Sequence, residues 1–234
     1  MSTHAVVLSL NFMTPARQEL LRLLASKSFR LGDFKLSSGA SSDYYVDCRA
    51  TTLDAKGARL TGQLFLEEIR AQGWKPQAIG GLSLGADPIV TAVSVSSGDF
   101  SGFLVRKAEK EHGTGQRIEG FREKGARVVI VDDVCTTGAS TVQAIEAARE
   151  FGFTVVGVMC LVERQEAGGR SSIEKVAAPA RFVAIFKADE VRREHAMQND
   201  ETSPSILAVG AGCEICGRPA VMNHPRVRCE QHKI

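Results

Sequence analysis

Residues 132–141 read Asp132-Asp133-Val134-Cys135-Thr136-Thr137-Gly138-Ala139-Ser140-Thr141, directly after the apolar run Val128–Val131. The run suits a strand buried on both faces of a parallel sheet. Two adjacent carboxylates end it, and a turn of small residues leads into a helical pattern, Val142–Phe151. Small residues let backbone N–H groups close on an anion, and a helix N-terminus adds partial positive charge. Two carboxylates would repel a phosphate, so they are better suited to accepting hydrogen bonds from sugar hydroxyls. A ribose diol on Asp132 and Asp133, with its 5′-phosphate wrapped by Thr136–Ser140, describes a phosphoribosyl site. The plainer alternative is a capped strand-to-helix turn with solvated aspartates.

A second segment has the composition of a catalytic loop. Arg106-Lys107-Ala-Glu-Lys110-Glu-His112-Gly113-Thr114-Gly115-Gln-Arg117 follows the apolar strand Phe103–Val105. Its cations are broken by two glutamates and end in Gly-Thr-Gly, so no stable helix is expected. Alone it reads as a solvated charged loop. Beside a phosphoribosyl site it reads as a set of cations that close over a leaving diphosphate and exclude water.

The elements around these residues alternate. Ala16–Lys27 is an amphipathic helix opened by Thr14-Pro15. Short strands are expected at Phe34–Leu36 and Tyr44–Cys48, a long helix at Asp54–Gln72, and a strand at Ala78–Gly81. A helix at Pro88–Ser96 and strands at Thr154–Val162 and Phe182–Phe186 complete the pattern, with Asn199–Gly212 as a linker. This alternation predicts an α/β fold with a doubly wound parallel sheet, whose ligands sit at the carboxyl ends of the strands.

Taken together, these motifs resemble the orotate phosphoribosyltransferases, within the type I phosphoribosyltransferases. The Asp132–Thr141 segment resembles the motif that binds phosphoribosyl diphosphate (PRPP). Arg-Lys-x-x-Lys-x-His-Gly resembles the family's catalytic loop. Phe34-Lys-Leu-Ser37-Ser38-Gly39 with Tyr44-Tyr45 resembles its N-terminal hood over the base, Gly80–Pro88 its pyrophosphate-side loop, and Glu163-Arg164-Gln165-Glu166 its base-binding Arg motif. The likeness runs from about Ala16 to His195. It implies that Asp132 and Asp133 hold the ribose hydroxyls, that Thr136, Thr137, Gly138, Ala139 and Ser140 hold the 5′-phosphate, and that Arg106, Lys107, Lys110 and His112 gather on the diphosphate. It further implies that Thr136, Arg164 and Tyr45 lie at the orotate subsite, that Mg²⁺ accompanies PRPP, and that a homodimer shares its loops between sites. The product would be orotidine 5′-monophosphate, in pyrimidine synthesis. Two positions depart from the pattern: Ser37 and Gly85 stand where some members carry lysine. The competing readings are a purine or uracil phosphoribosyltransferase and a nucleotide-sensing regulator on the same fold.

The C-terminus carries a different signal. Cys213-Glu-Ile-Cys216-Gly217, followed after an intervening stretch by Cys229-Glu-Gln-His232, is a zinc-knuckle-like set of four ligands. It is closed, and so suited to a structural Zn²⁺. His224 is a competing ligand, and two unpaired thiol couples are the plainer alternative. The expected division is a phosphoribosyltransferase domain with its hood over residues 1–208 and a small metal-binding lobe over 209–234.

Composition sets the remaining bounds. Across 234 residues, 44% are hydrophobic and 24% charged, with a net charge of +2; nucleic-acid binding is not favoured. No run reaches the ~20 apolar residues of a membrane span, and Met1–Met13 has no basic segment of a signal peptide. Six cysteines without such a signal point to a reducing, cytoplasmic setting.

Overall fold

In the computed structural model, residues 13–35, 39, 41–107, 117–202, 221–223 and 226–228 are described. The chain divides into two compact units, Met1–His195 and Ala196–Ile234.

Helix α1 (Pro15–Leu23) begins as its sequence predicts: Thr14 Oγ1 accepts from the Arg17 N–H at 3.2 Å, and Pro15 takes the first turn. Five π-helical residues, Leu24–Ser28, lead into β1 (Phe29–Lys35), which pairs antiparallel with β2 (Ser41–Val46). This ribbon starts five residues earlier than the expected strand at Phe34, because Phe29 packs inward against Tyr44 and pulls the pairing toward the core. A short helix α2 (Arg49–Thr52) and the long α3 (Ala55–Ala71) follow, the latter capped by Asp54, whose Oδ1 accepts from the Lys56 and Gly57 N–H groups.

The main sheet contains β3 (Ala78–Leu82), β4 (Ser101–Val105), β5 (Ile118–Gly120), β6 (Arg127–Cys135), β7 (Thr154–Glu163) and β8 (Arg181–Lys187), in the order β5-β4-β3-β6-β7-β8. All neighbours are parallel except β5, which runs antiparallel to β4. Helices α4 (Asp87–Ser97), α5 (Ala139–Phe151) and α6 (Gly169–Ala177) provide the crossovers, and α7 (Ala188–Thr202) follows β8. The last helix carries the chain through Asn199–Thr202, so the linker expected at Asn199 does not begin there.

Successive β6 residues face opposite layers. Val129 and Val131 belong to the core that includes Leu20, Phe65, Ile89 and Val191 on one face; Val128 and Ile130 belong to the core that includes Ala144, Ile145 and Ile173 on the other. Each fully buried large side chain contributes about 1.5–3 kcal/mol to this sandwich. The order reverses between β3, whose chain proceeds to β4, and β6, whose chain proceeds to β7. That switch point is where a doubly wound sheet opens a crevice at its carboxyl edge. In the second unit, β9 (Val221–Asn223) and β10 (Arg226–Arg228) form an antiparallel pair. The proposed ligands Cys213, Cys216, Cys229 and His232 lie outside the described residues.

Candidate active site

A cavity of about 620 Å³ occupies the switch point, with Asp132, Asp133, Thr136 and Ser140 on one wall and Ser83–Gly85 on another. Its size is that of a small-molecule site. The strand does not stop at the paired carboxylates: β6 continues through both to Cys135, and Asp132 is only 5% exposed. The aspartates are therefore part of the folded wall, which corrects the expectation of a strand ending before them. Asp132 Oδ2 accepts from Thr141 Oγ1 at 2.6 Å, and its Oδ1 accepts from the Asp133 N–H at 3.1 Å. Asp133 Oδ1 accepts from the Val134 N–H at 2.8 Å. Burial, and then the neighbouring Asp133 charge, raise the Asp132 pKa; burial raises that of Asp133 as well. Two carboxyls held so want hydroxyl donors or a cation.

The small-residue turn follows. Gly138 has φ +79°, and a Cβ there would lie 2.8 Å from the Gly169 carbonyl oxygen, so position 138 requires glycine. Gly138 gives α5 no side-chain cap. The first N–H groups of that helix have no intrahelical acceptor, and with the helix dipole they are suited to receive an anion beside Thr136 and Ser140.

Arg164 lines the same cavity from the end of β7 and is 5% exposed. Its Nε donates to the Tyr44 hydroxyl at 3.0 Å and to Glu166 Oε1 at 3.1 Å; its Nη2 donates to Ser42 Oγ at 2.8 Å. The guanidinium lies 4.2 Å from the centre of the Tyr44 ring, and the Tyr44 hydroxyl donates to Glu166. Burial and the Glu166 acceptor push the Tyr44 pKa up to about 12, so the hydroxyl keeps its proton. The hood is also tied to α7, where Arg192 Nη2 donates to Asp43 Oδ2 at 2.6 Å. A second cavity of about 600 Å³ adjoins this cluster and shares Thr136 and Arg164 with the first.

Backbone bonds seam the loop after β7 to the turn after β6. The Arg164 N–H donates to the Cys135 carbonyl at 2.8 Å, and the Gly169 N–H to the Thr136 carbonyl at 3.1 Å. Glu163, 3% exposed, anchors this join by accepting from Arg170 Nε and Nη2 at 2.8 and 2.6 Å.

The structure gathers some of the sequence candidates and separates others. Asp132, Asp133, Thr136, Ser140, Arg164, Tyr45 and Lys107 line the first cavity, Thr137 lines the second, and Gly138 and Ala139 form the turn and first residue of α5. Arg106 is not among the described residues lining either cavity: it directly follows β4 and pairs with Glu119 of β5 at 3.6 Å. Lys110, His112 and Ser37 lie outside the described residues. The loop's roots are fixed, since the Arg106 N–H donates to the Arg117 carbonyl at 2.9 Å and Val105 pairs with Ile118. Sequence reasoning missed Arg49, Asp47 and Lys35 in the cavity and the Tyr44–Glu166 pair behind Arg164. Of these, Lys35 and Tyr44 stood inside the hood motif and Glu166 inside the Arg164 motif, whereas Asp47 and Arg49 stood in no motif.

Residues 52–186 match the phosphoribosyl transferase domain family. The orotate phosphoribosyltransferase of Aquifex aeolicus is 42% identical over 182 residues, an overlap spanning 75% of this chain and 97% of that relative. A crystal structure of Mycobacterium tuberculosis orotate phosphoribosyltransferase with Fe(III) dicitrate superposes with a TM-score of 0.67 at 38% identity, covering 76% of this chain and 99% of the other. The same enzyme in complex with PRPP is similar too, with a TM-score of 0.64 at 35% identity over 76% of this chain and 99% of that one.

Proposed function

The chain belongs to the orotate phosphoribosyltransferase family, and from that premise we propose how its cavity joins PRPP to orotate, giving orotidine 5′-monophosphate and diphosphate. One observation carries the reading: the paired carboxylates and the uncapped start of α5 share a cavity with a buried, tethered arginine. The first two suit a ribose 5-phosphate, and the third suits an acidic base.

In this mechanism Asp132 and Asp133 accept hydrogen bonds from the ribose hydroxyls, and the Thr136–Ser140 turn holds the 5′-phosphate. Arg164 and Thr136 orient orotate, with Tyr45 on the hood side. Orotate N1 gives up its proton to water and forms its bond to the anomeric carbon while the C–O bond to diphosphate breaks and its electron pair leaves with the diphosphate. The transition state is oxocarbenium-like, so the protein supplies positioning and electrostatics rather than a nucleophile. Lys107 and Lys110 balance the leaving charge, and His112 or Lys110 gives the departing diphosphate its proton. The oxygen donors of Asp132 and Asp133 fit Mg²⁺, which takes hard oxygen ligands and would be bound chiefly by the substrate. When bound, the ion neutralises charge on the leaving group.

The protein is proposed to act in the cytoplasm as a homodimer, its Arg106–Arg117 loop serving the neighbouring subunit. An exposed apolar groove supports a second copy: Leu53 and Val95 are 71% and 79% exposed, beside Pro88, Thr91 and Ala92. Among the described residues no helix is long and apolar enough to cross a membrane. The tail is proposed to hold one structural Zn²⁺ through Cys213, Cys216, Cys229 and His232, as a lobe over 209–234 that does no chemistry.

The deciding experiment incubates purified protein with PRPP, Mg²⁺ and a panel of orotate, uracil, adenine and hypoxanthine. Orotidine 5′-monophosphate should form selectively; a preference for another base, or no product, refutes the proposal.

A further inference from the structure

Arg49 is a cation of the main cavity that none of the sequence motifs assigns. It opens α2, directly after the hood, and lines the cavity with Asp133, Ser83 and Gly85. Its Nε and Nη2 donate side-on to the two oxygens of Asp47 at 2.8 and 2.9 Å. A guanidinium paired along that edge still has its Nη1–Nη2 end for a second anion. The Arg49 charge draws Asp133 down against the upward pull of burial, so the guanidinium stands within electrostatic reach of the ribose carboxylate.

Gly85 approaches the same carboxylate. A Cβ at position 85 would lie 2.4 Å from Asp133 Oδ1, an atom already fixed by the Val134 N–H. The Leu82–Gly85 loop therefore has no room for a cationic side chain at that point. A ribose with its diol on Asp132 and Asp133 and its 5′-phosphate at α5 directs its C1 substituent away from α5. Arg49 and Ser83–Gly85 line that same cavity.

We propose that Arg49 binds the diphosphate of PRPP through the end of its guanidinium that Asp47 leaves free, supplying the charge that position 85 cannot carry. The assignment rests on the PRPP reading of this cavity. It requires Asp47 to act as a holder, fixing the guanidinium plane while the opposite end meets substrate.

The test compares three probes, PRPP, inorganic diphosphate and ribose 5-phosphate, by calorimetry with Mg²⁺ on wild type, Arg49→Ala, Arg49→Gln and Arg49→Lys. Loss of a charge-assisted contact should weaken PRPP and diphosphate by about 10- to 100-fold in the Ala and Gln variants. Ribose 5-phosphate affinity should be unchanged, and Arg49→Lys should keep part of the diphosphate affinity. A parallel loss for ribose 5-phosphate would make Arg49 a structural residue and overturn the proposal, as would unchanged diphosphate binding. If Arg49→Ala fails to fold, the Gln and Lys variants give the same comparison. Wild-type protein that bound neither PRPP nor ribose 5-phosphate would overturn the reading of the cavity itself, and this assignment with it.

Discussion

Tyr44→Phe isolates what the hood does for Arg164. The substitution removes one hydroxyl and keeps the ring, so the stack on Phe29 at 5.2 Å and the contact under the guanidinium at 4.2 Å persist. Arg164 loses the 3.0 Å bond from Nε but keeps Glu166 at 3.1 Å and Ser42 at 2.8 Å. A hydrogen bond to a charged group is worth about 1.5–3 kcal/mol. Because Glu166 still holds Nε, the lower end applies, and the orotate KM should rise by up to roughly tenfold. Glu166 loses a donor too, but its side chain is 53% exposed and water replaces it at little cost. Steady-state kinetics with each substrate varied in turn provides the assay, with thermal melting as the control. The PRPP KM should stay near wild type. With the hydroxyl pKa at about 12, the ratio of orotate KM values should also be flat across neutral pH. An equal rise in both KM values, or a large loss of melting temperature with unchanged kinetics, would show that Tyr44 serves only to pack the hood.

Lys110→Ala or His112→Ala should cut turnover by about 10²-fold or more, the scale of a lost electrostatic or acid–base contribution; wild-type turnover in both, with chemistry rate-limiting, would remove the loop from the mechanism. Asp132→Asn should stabilise the free protein while weakening PRPP. A carboxyl whose folded pKa is raised binds more protons folded than unfolded, so its contribution to stability falls as pH rises from its ordinary value through the raised one. The variant's gain in melting temperature should therefore be larger at pH 8 than at pH 4, and a gain independent of pH refutes the assignment. Removing metal with a chelator should release about one zinc per chain and lower the stability of the tail while Mg²⁺-dependent turnover persists; metal analysis of protein purified without chelator checks the first point, and loss of turnover with the core still folded and dimeric would refute a purely structural role.

The sheet could be read from sequence because β6 and β7 are apolar runs, and the glycine turn into α5 because its small residues are contiguous. The sequence was silent where a residue's role depends on an element distant in the chain. Tyr44 and Tyr45 are adjacent, yet the first is buried on Arg164 and the second faces the cavity; only the register of β1 on β2 decides which. Arg106 shared a cationic loop with Lys107, but Glu119 claims it through the β4–β5 pairing, and β5 has only three residues to announce itself. Arg49 and Asp47 share a cavity with the Ser83–Gly85 loop, a juxtaposition no local pattern encodes. The helix α6 was missed because its Gly168-Gly169 start reads as loop, though its first N–H completes the seam to Thr136.

That seam bears on how such a protein could change its preferred base. Arg164 and Gly169 are joined by main chain to Cys135 and Thr136, so altering the loop that carries Arg164 also disturbs the turn proposed to grip the phosphate. The hood meets the same arginine through the side chains of Ser42 and Tyr44. Substitutions there can reshape the surroundings of Arg164 while the Thr136–Ser140 turn stays as it is. Divergence toward other bases, in nature or in the laboratory, should therefore accumulate in the hood and leave the 163–170 connection nearly unchanged.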